Sequence, residues 1–417
     1  MRIAVVGAGM AAARFAERHG ALGGEGAVTL YGAEPRAPYN RVLLAEVLAG
    51  RYETESIALP LGAARARPGC EVVALDPAAR TLRLADGSEE EWDELVLATG
   101  ANPVLPPVRG LRRPDGRGLA EGVHTLRTLE DGARLAEEAV GAKRAVVIGG
   151  GVLGVSAARA LAALGVRTEI VHQGPYLVER HLDAEAAAVL RERLRALGVD
   201  CYPGNRARAV HGDPRVEAVE LANGYRLDCD LVVLACGTRP RTALAHAAGL
   251  AVATGVLVDD RLEAAPHVHA IGDCAEHRGA VPGLAAPAWD QADVLARRLS
   301  GADPGARYPG WRPRARLSTG GLEYAAFGTV EEGPGLDVLR LTDATRGSYK
   351  KLVLRGDRLV GAILLGDLAA VDALAGAFAA DGAVTGHPLH LLTGTGTGIG
   401  IGTGTGTLGA AMTGDAR

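Results

Sequence analysis

The chain has 417 residues, 48% of them hydrophobic and 23% charged, with a formal net charge of −4 and a pI near 6.3. This is the composition of a soluble globular protein of about two or three domains. The weak negative balance gives no electrostatic case for nucleic acid or an anionic membrane as partner, and no apolar run is long enough to span a bilayer.

Residues 3–12 read I-A-V-V-G-A-G-M-A-A, a β-branched apolar run that ends in glycine and opens into an alanine-rich helical pattern. The opening residues have the look of a short signal peptide. Gly7 and Gly9, followed by Arg14, Glu17 and Arg18 on the next helix, favour a strand and a phosphate-binding turn instead, and a cytoplasmic protein is expected. In such a turn Gly7 allows the tight strand-to-helix reversal and Gly9 lets backbone approach a pyrophosphate. Ala12 stands where helix and strand pack closely. A helix is expected to about residue 20 and a strand over 27–31. Glu34 lies about 20 residues beyond the turn, the usual place for a carboxylate that holds ribose hydroxyls.

Residues 71–76 and 81–84, with Asp86-Gly87 as a turn, read as strands of a small meander. L-V-L-A-T-G at 95–100 ends another strand, and Pro103, Pro106 and Pro107 mark a crossover into a second domain. There A-V-V-I-G-G-G-V-L-G, residues 145–154, repeats the opening pattern with Gly149, Gly151 and Gly154 in the three roles. One such motif is a weak signal. Two, each in strand–turn–helix context, point to two dinucleotides in one protein. The expected fold class is therefore α/β, with two Rossmann-like dinucleotide-binding domains and a small α+β C-terminal domain. The strand over 168–172 ends in His172-Gln173, neither the acid that reads NAD nor the arginine that reads NADP. His172 is the candidate ribose contact, with the coenzyme left open and NADH slightly favoured.

The five cysteines, Cys70, Cys201, Cys229, Cys236 and Cys274, form no C-x-x-C and no C-x-x-x-x-C pair. That argues against a redox dithiol, a zinc site and an iron–sulfur cluster, and no metal is expected. No nucleophile–base dyad is visible either, so no catalytic side chain is assigned. Residues 393–407 alternate threonine or isoleucine with glycine and read as a disordered tail.

The segment P-Y-N-R-V-L-L at 38–44 resembles the P-Y-[DN]-R-x-x-L segment of FAD-dependent pyridine-nucleotide oxidoreductases. It is nearest to the reductase part of assimilatory nitrite reductase large subunits and to rubredoxin and ferredoxin reductases. L-V-E-R-H-L-D at 177–183, A-P-A-W-D-Q-A at 286–292 and Y-K-K-L-V at 349–353 extend the likeness. The resemblance implies that Arg41 lies along FAD and that Thr99 and Gly100 touch the flavin nucleotide. It implies that Asp273, after Gly272 in an I-G-D run, accepts hydrogen bonds from the ribitol hydroxyls, with Val72 and Trp289 as further flavin neighbours. Gly237, in the A-C-G end of residues 231–237, would touch NAD(P). Glu46 departs from the lysine or serine usual there, and the segment before Val72 is shorter than in the family.

The implied domains are FAD-binding, 1–108 and 238–305; NAD(P)-binding, 109–237; and a C-terminal interface domain, 306–388, with a Gly/Thr-rich tail from 389. The implied activity is hydride transfer from NAD(P)H to FAD and delivery of electrons to an acceptor protein. A nitrite or nitrate reductase component is expected first, since these residues lack iron–sulfur cysteines of their own. Rubredoxin or ferredoxin reduction is the alternative, with a possible homodimer. A second alternative is an NADH-sensing flavoprotein that works by binding rather than turnover.

Overall fold

The computed structural model of the chain describes residues 1–113, 115–381, 384, 390 and 392. The expected tail from residue 389 falls outside the described residues, apart from His390 and Leu392.

One six-stranded sheet runs Glu263–Ala265, Val268–Ala270, Glu94–Leu97, Arg2–Val6, Ala27–Gly32, Arg65–Pro68. All neighbours pair in parallel except the outermost two, Glu263–Ala265 and Val268–Ala270. A parallel strand is covered on both faces, which is why Ile3, Val5 and Val6 are all buried without alternation. Helices Met10–Ala21 and Ala285–Leu299 pack side by side beneath it, with Ala12, Phe15 and Ala16 in one apolar cluster with Ala288, Ala292 and Leu295. The Arg14 guanidinium grips Asp293 through two hydrogen bonds of 2.7 and 3.0 Å and ties the helices together.

A second sheet, parallel throughout, runs Val199–Pro203, Arg167–His172, Arg144–Ile148, Leu231–Leu234, Val123–Thr125. The chain crosses to it and returns through the antiparallel pair Ala101–Pro103 and Thr238–Pro240. Pro103 and Pro240 stand at the ends of that pair, where few ladder donors are needed. Each large sheet carries one three-stranded meander, Val72–Asp76 to Glu89–Glu91 and Ala207–His211 to Arg226–Asp228.

The C-terminal sheet is antiparallel, in the order Arg314–Thr319, Leu322–Gly328, Arg358–Leu365, Ser348–Arg355, Asp337–Asp343. Helix Val371–Ala380 covers one face, where Leu374 meets Phe327, Leu352 and Leu364 in an apolar cluster. Tyr324, Tyr349 and Ile363 of the sheet join a different cluster, shared with Leu190 and Leu194 of helix Ala184–Ala196 and with Leu44 and Leu48. The same cluster holds Val147 and Val233 of the second sheet, so apolar burial joins that sheet, the antiparallel sheet and the short helix Leu44–Leu48.

Asp183 adds a polar tie to this seam. It caps helix Ala184–Ala196 by accepting the Ala186 N–H at 2.9 Å, and it also accepts Tyr349 Oη–H at 2.8 Å and Lys351 Nζ at 2.9 Å. Burial works to raise its pKa, yet the bonds from Ala186, Lys351 and Tyr349 hold it below the usual aspartate value. Asp183→Ala should cost more than the ~1 kcal/mol of a lost helix cap, because the buried Lys351 also loses a carboxylate. Chemical denaturation at pH 7 checks this, and a variant as stable as the wild type contradicts it. A carboxyl whose folded pKa is depressed stabilises above its unfolded pKa of about 4. That stabilisation is lost as pH falls through the folded value, so the two proteins should converge in stability in acid.

Candidate cofactor-binding site

The two glycine turns are the same piece of geometry built twice. Gly7 has φ +112° and Gly149 φ +115°, and a Cβ on either would sit 2.2 Å from a carbonyl oxygen, Ala98 O or Ala235 O. Their N–H groups donate to the ends of the neighbouring strands, Tyr31 O and Val171 O, both at 2.8 Å. Only glycine fits a position that combines positive φ with such an approach. At Gly9 and Gly151 an added Cβ would meet nothing within 4 Å, so these residues face open space. They are the N-caps of Met10–Ala21 and Val152–Ala163, and neither helix has a side-chain cap. The first-turn N–H groups are thus left for something else. Gly154 lies against Gly149, where a Cβ would come 1.9 Å from its carbonyl oxygen, and its counterpart Ala12 is fully buried.

Both turns open into one cavity of about 1450 Å³, which Gly9, Met10 and Ala11 line from one side and Gly149, Gly151 and Val152 from the other. Two uncapped helix N-termini with glycine backbone are donors suited to the pyrophosphates of two dinucleotides.

A run of charge borders the first turn. Arg41 pairs with Glu34 and donates to Tyr39 Oη at 3.0 Å and Arg127 O at 2.8 Å, while Tyr39 donates to Glu34 at 2.6 Å. Arg127 donates to Asp273 Oδ2 at 2.6 Å. Desolvation, then the fields of Arg41 and Arg127, lower the pKa of nearby Arg241. Arg41, Arg127 and Asp273 line the cavity that the helix N-terminus opens into, and guanidinium forks of this kind suit a pyrophosphate. Arg127 was not singled out in the sequence. Its signal is position, directly before the Thr128/Asp131 capping box that starts helix Leu129–Ala139.

Gly100, Gly237 and Gly272 also line the cavity, all with positive φ. The Gly272 N–H is held by Gln291 Oε1 at 2.7 Å, which sets the short turn Gly272–Cys274 that carries Asp273. Thr99 lies beside the cavity wall and donates to Arg241 O at 2.8 Å. Glu34, Val72 and Trp289 do not line the cavity; Glu34 is engaged by Arg41, Val72 is buried at the start of its meander strand, and Trp289 is half-buried on its helix. The tryptophan that does reach the cavity is Trp311, which is 37% exposed. His172 lines it too, with both ring nitrogens already bonded, Nδ1 to the Gly150 N–H at 3.1 Å and Nε2 to Glu179 Oε2 at 2.6 Å.

Glu46 resolves into a junction. Its carboxylate accepts from Arg159 of helix Val152–Ala163 and from Thr319 of the antiparallel sheet, and it lies 3.5 Å from Arg51. Glu46 and Arg159 are both buried, at 5% and 2% exposure. One carboxylate therefore joins the three sheet-bearing units at the cavity wall, and its charge is balanced by arginine. All five cysteines are free. Burial pushes the Cys236 thiol up to about 11 and Cys201 and Cys229 up to about 12, so none of these three is a thiolate at neutral pH. Among the described residues no group of His, Cys, Asp or Glu is arranged to hold a metal ion.

Residues 1–292 match the pyridine nucleotide-disulphide oxidoreductase family. The chain belongs to that family. FAD and NAD(P)H are its cofactors, and the paired cradles above fit both nucleotides. Residues 313–379 match the rubredoxin NAD+ reductase C-terminal domain. The chain is 35% identical to a nitrite reductase [NAD(P)H] of Bacillus subtilis (strain 168), over 88% of its own length and 46% of the relative's. It is 31% identical to the assimilatory nitrate reductase electron transfer subunit of the same strain, over 82% and 44%. It thus spans about half the length of these curated relatives. A solved ferredoxin reductase for the CYP199A2 system from Rhodopseudomonas palustris superposes with a TM-score of 0.79 at 29% identity, covering 90% of this chain and 93% of that one. Among the described residues of this family member, no helix is long and apolar enough to cross a membrane.

Removing one partner of a buried ion pair strands the other. Glu46→Ala should destabilise by about 3–5 kcal/mol, since Arg159 already has Nε and Nη1 without partners. The double variant Glu46→Leu/Arg159→Leu should recover most of that loss. Denaturation midpoints of the three proteins test this, and a double variant no more stable than Glu46→Ala contradicts it.

Proposed function

We propose that this chain oxidises NAD(P)H and passes the electrons to a separate acceptor protein, most directly a nitrite or nitrate reductase component. The observation that carries the reading is the single cavity into which both glycine turns open. In this reading the Gly9 turn with Arg41, Arg127 and Asp273 holds FAD, and the Gly151 turn holds the nicotinamide nucleotide. Bound FAD would supply the two-electron chemistry that no side chain here provides. The protein's part is to fix two nucleotides end to end, to exclude water through the apolar wall of Val104, Leu126 and Ile271, and to neutralise their phosphates. With all five cysteines free and scattered, electrons would leave without a dithiol relay. Free thiols also suit the cytoplasm. The division into an FAD-binding unit of residues 1–108 and 238–305, an NAD(P)-binding unit of 109–237 and a C-terminal interface unit of 306–388 belongs to the same proposal, and so does pairing of two chains through the last unit.

The match of residues 313–379 to a rubredoxin reductase domain supports a second reading, in which the acceptor is a rubredoxin or ferredoxin. Stopped-flow mixing of the NADH-reduced protein with each purified acceptor separates the two. The first reading expects fast reoxidation by the nitrite or nitrate reductase component, and equal, slow rates with every acceptor contradict both.

Gly151→Glu places a carboxylate in the open space before the second helix. It should abolish reduction by NADH and leave flavin bound, as read by anaerobic bleaching and by flavin content. Retained bleaching contradicts the assignment of that turn.

A further inference from the structure

We propose that Glu179 is the acceptor for the adenosine-ribose hydroxyls of the nicotinamide nucleotide, positioned by His172, and that the site selects NADH over NADPH. This rests on the reading above that the Gly151 turn holds that nucleotide.

A dinucleotide fold that reads NAD carries a carboxylate at the carboxyl end of the strand next to the glycine turn, and one that reads NADP an arginine. Here that strand is Arg167–His172, which runs parallel to Arg144–Ile148 with Val171 opposite Ile148. It ends in histidine, and the acid comes back to it from further along the chain. His172 Nδ1 accepts the Gly150 N–H, so the neutral ring carries its proton on Nε2 and donates it to Glu179 Oε2. The histidine is in this way bonded to the phosphate turn on one side and to the carboxylate on the other.

The backbone between them is shaped for this. Val178 donates its N–H to Gly150 O at 2.9 Å and adopts φ +56°, an outlier for a β-branched residue that the neighbouring contacts must hold. Gly174 packs closely against this pair: a Cβ there would lie 2.7 Å from His172 Nε2 and 2.9 Å from Glu179 Cδ. A Cβ on Gly150 would meet Leu177 Cδ2 at 2.4 Å. The loop is thus clamped on the glycine turn, and what it delivers is the Glu179 carboxylate. That side chain is 35% exposed and lines the cavity, and its Oε1 has no hydrogen-bond partner among the described residues.

Arg180 and Arg206 line the same end of the cavity. Either could face a 2′-phosphate, but that dianion would have to stand beside a fixed carboxylate, and this repulsion is what sets the preference. A free 2′-hydroxyl instead donates to Oε1.

Calorimetric titration of the flavin-loaded full chain with ADP-ribose and with 2′-phospho-ADP-ribose tests this without turnover. The wild type should bind ADP-ribose about tenfold or more tightly than the phosphorylated analogue, the worth of one charge-assisted hydrogen bond. Glu179→Gln should erase that ratio. His172→Leu should shrink it as well, whereas a purely structural loss lowers both affinities alike and leaves the ratio unchanged. A wild type that prefers the phosphorylated analogue, or a Glu179→Gln variant with an unchanged ratio, overturns this proposal alone. Binding of neither analogue overturns the nucleotide reading beneath it as well.

Discussion

The close approach of backbone to backbone at two glycines governs this molecule. Gly7 against Ala98 and Gly149 against Ala235 bring the end of one strand, the start of one helix and the end of a third element to within contact distance. Each contact leaves a helix N-terminus bare and pointing outward. A side chain at either glycine would have to push the strands apart, so the site and the fold are the same constraint.

The surrounding charges come in balanced sets. Arg41 is set against Glu34, Arg127 against Asp273, and Arg159 against Glu46. Balance matters here because two dinucleotides add pyrophosphate charge to a partly desolvated space. A guanidinium already oriented by a carboxylate can face a phosphate with little rearrangement. Glu46 has a further consequence. A carboxylate at the cavity wall would oppose negative charge on a reduced flavin, but here the Arg159 guanidinium beside it offsets its charge.

How much the sequence disclosed follows from how local each feature is. The glycine turns and the strands beside them are short-range patterns of period and turn chemistry, and they were legible. The cysteine spacing was legible for the same reason. Arg127 was not, because its partner Asp273 is 146 positions away and nothing in T-L-R-T-L-E-D announces a cavity. Glu46 stood out as a departure, but its partners Arg159 and Thr319 lie 113 and 273 positions off. His172 was noticed for standing at the strand end; the acid it holds lies seven positions further on, brought back by a strained loop that no propensity predicts. Trp289 drew notice through its motif, while the tryptophan at the cavity is Trp311, on the approach to the third sheet.

The account stands or falls on the two cradles holding two different nucleotides next to each other. The most direct test is the visible spectrum of the purified full chain before and after anaerobic addition of NADH. The account predicts a yellow protein with near-stoichiometric FAD whose flavin band bleaches on mixing. A colourless protein that takes up no FAD on reconstitution contradicts it.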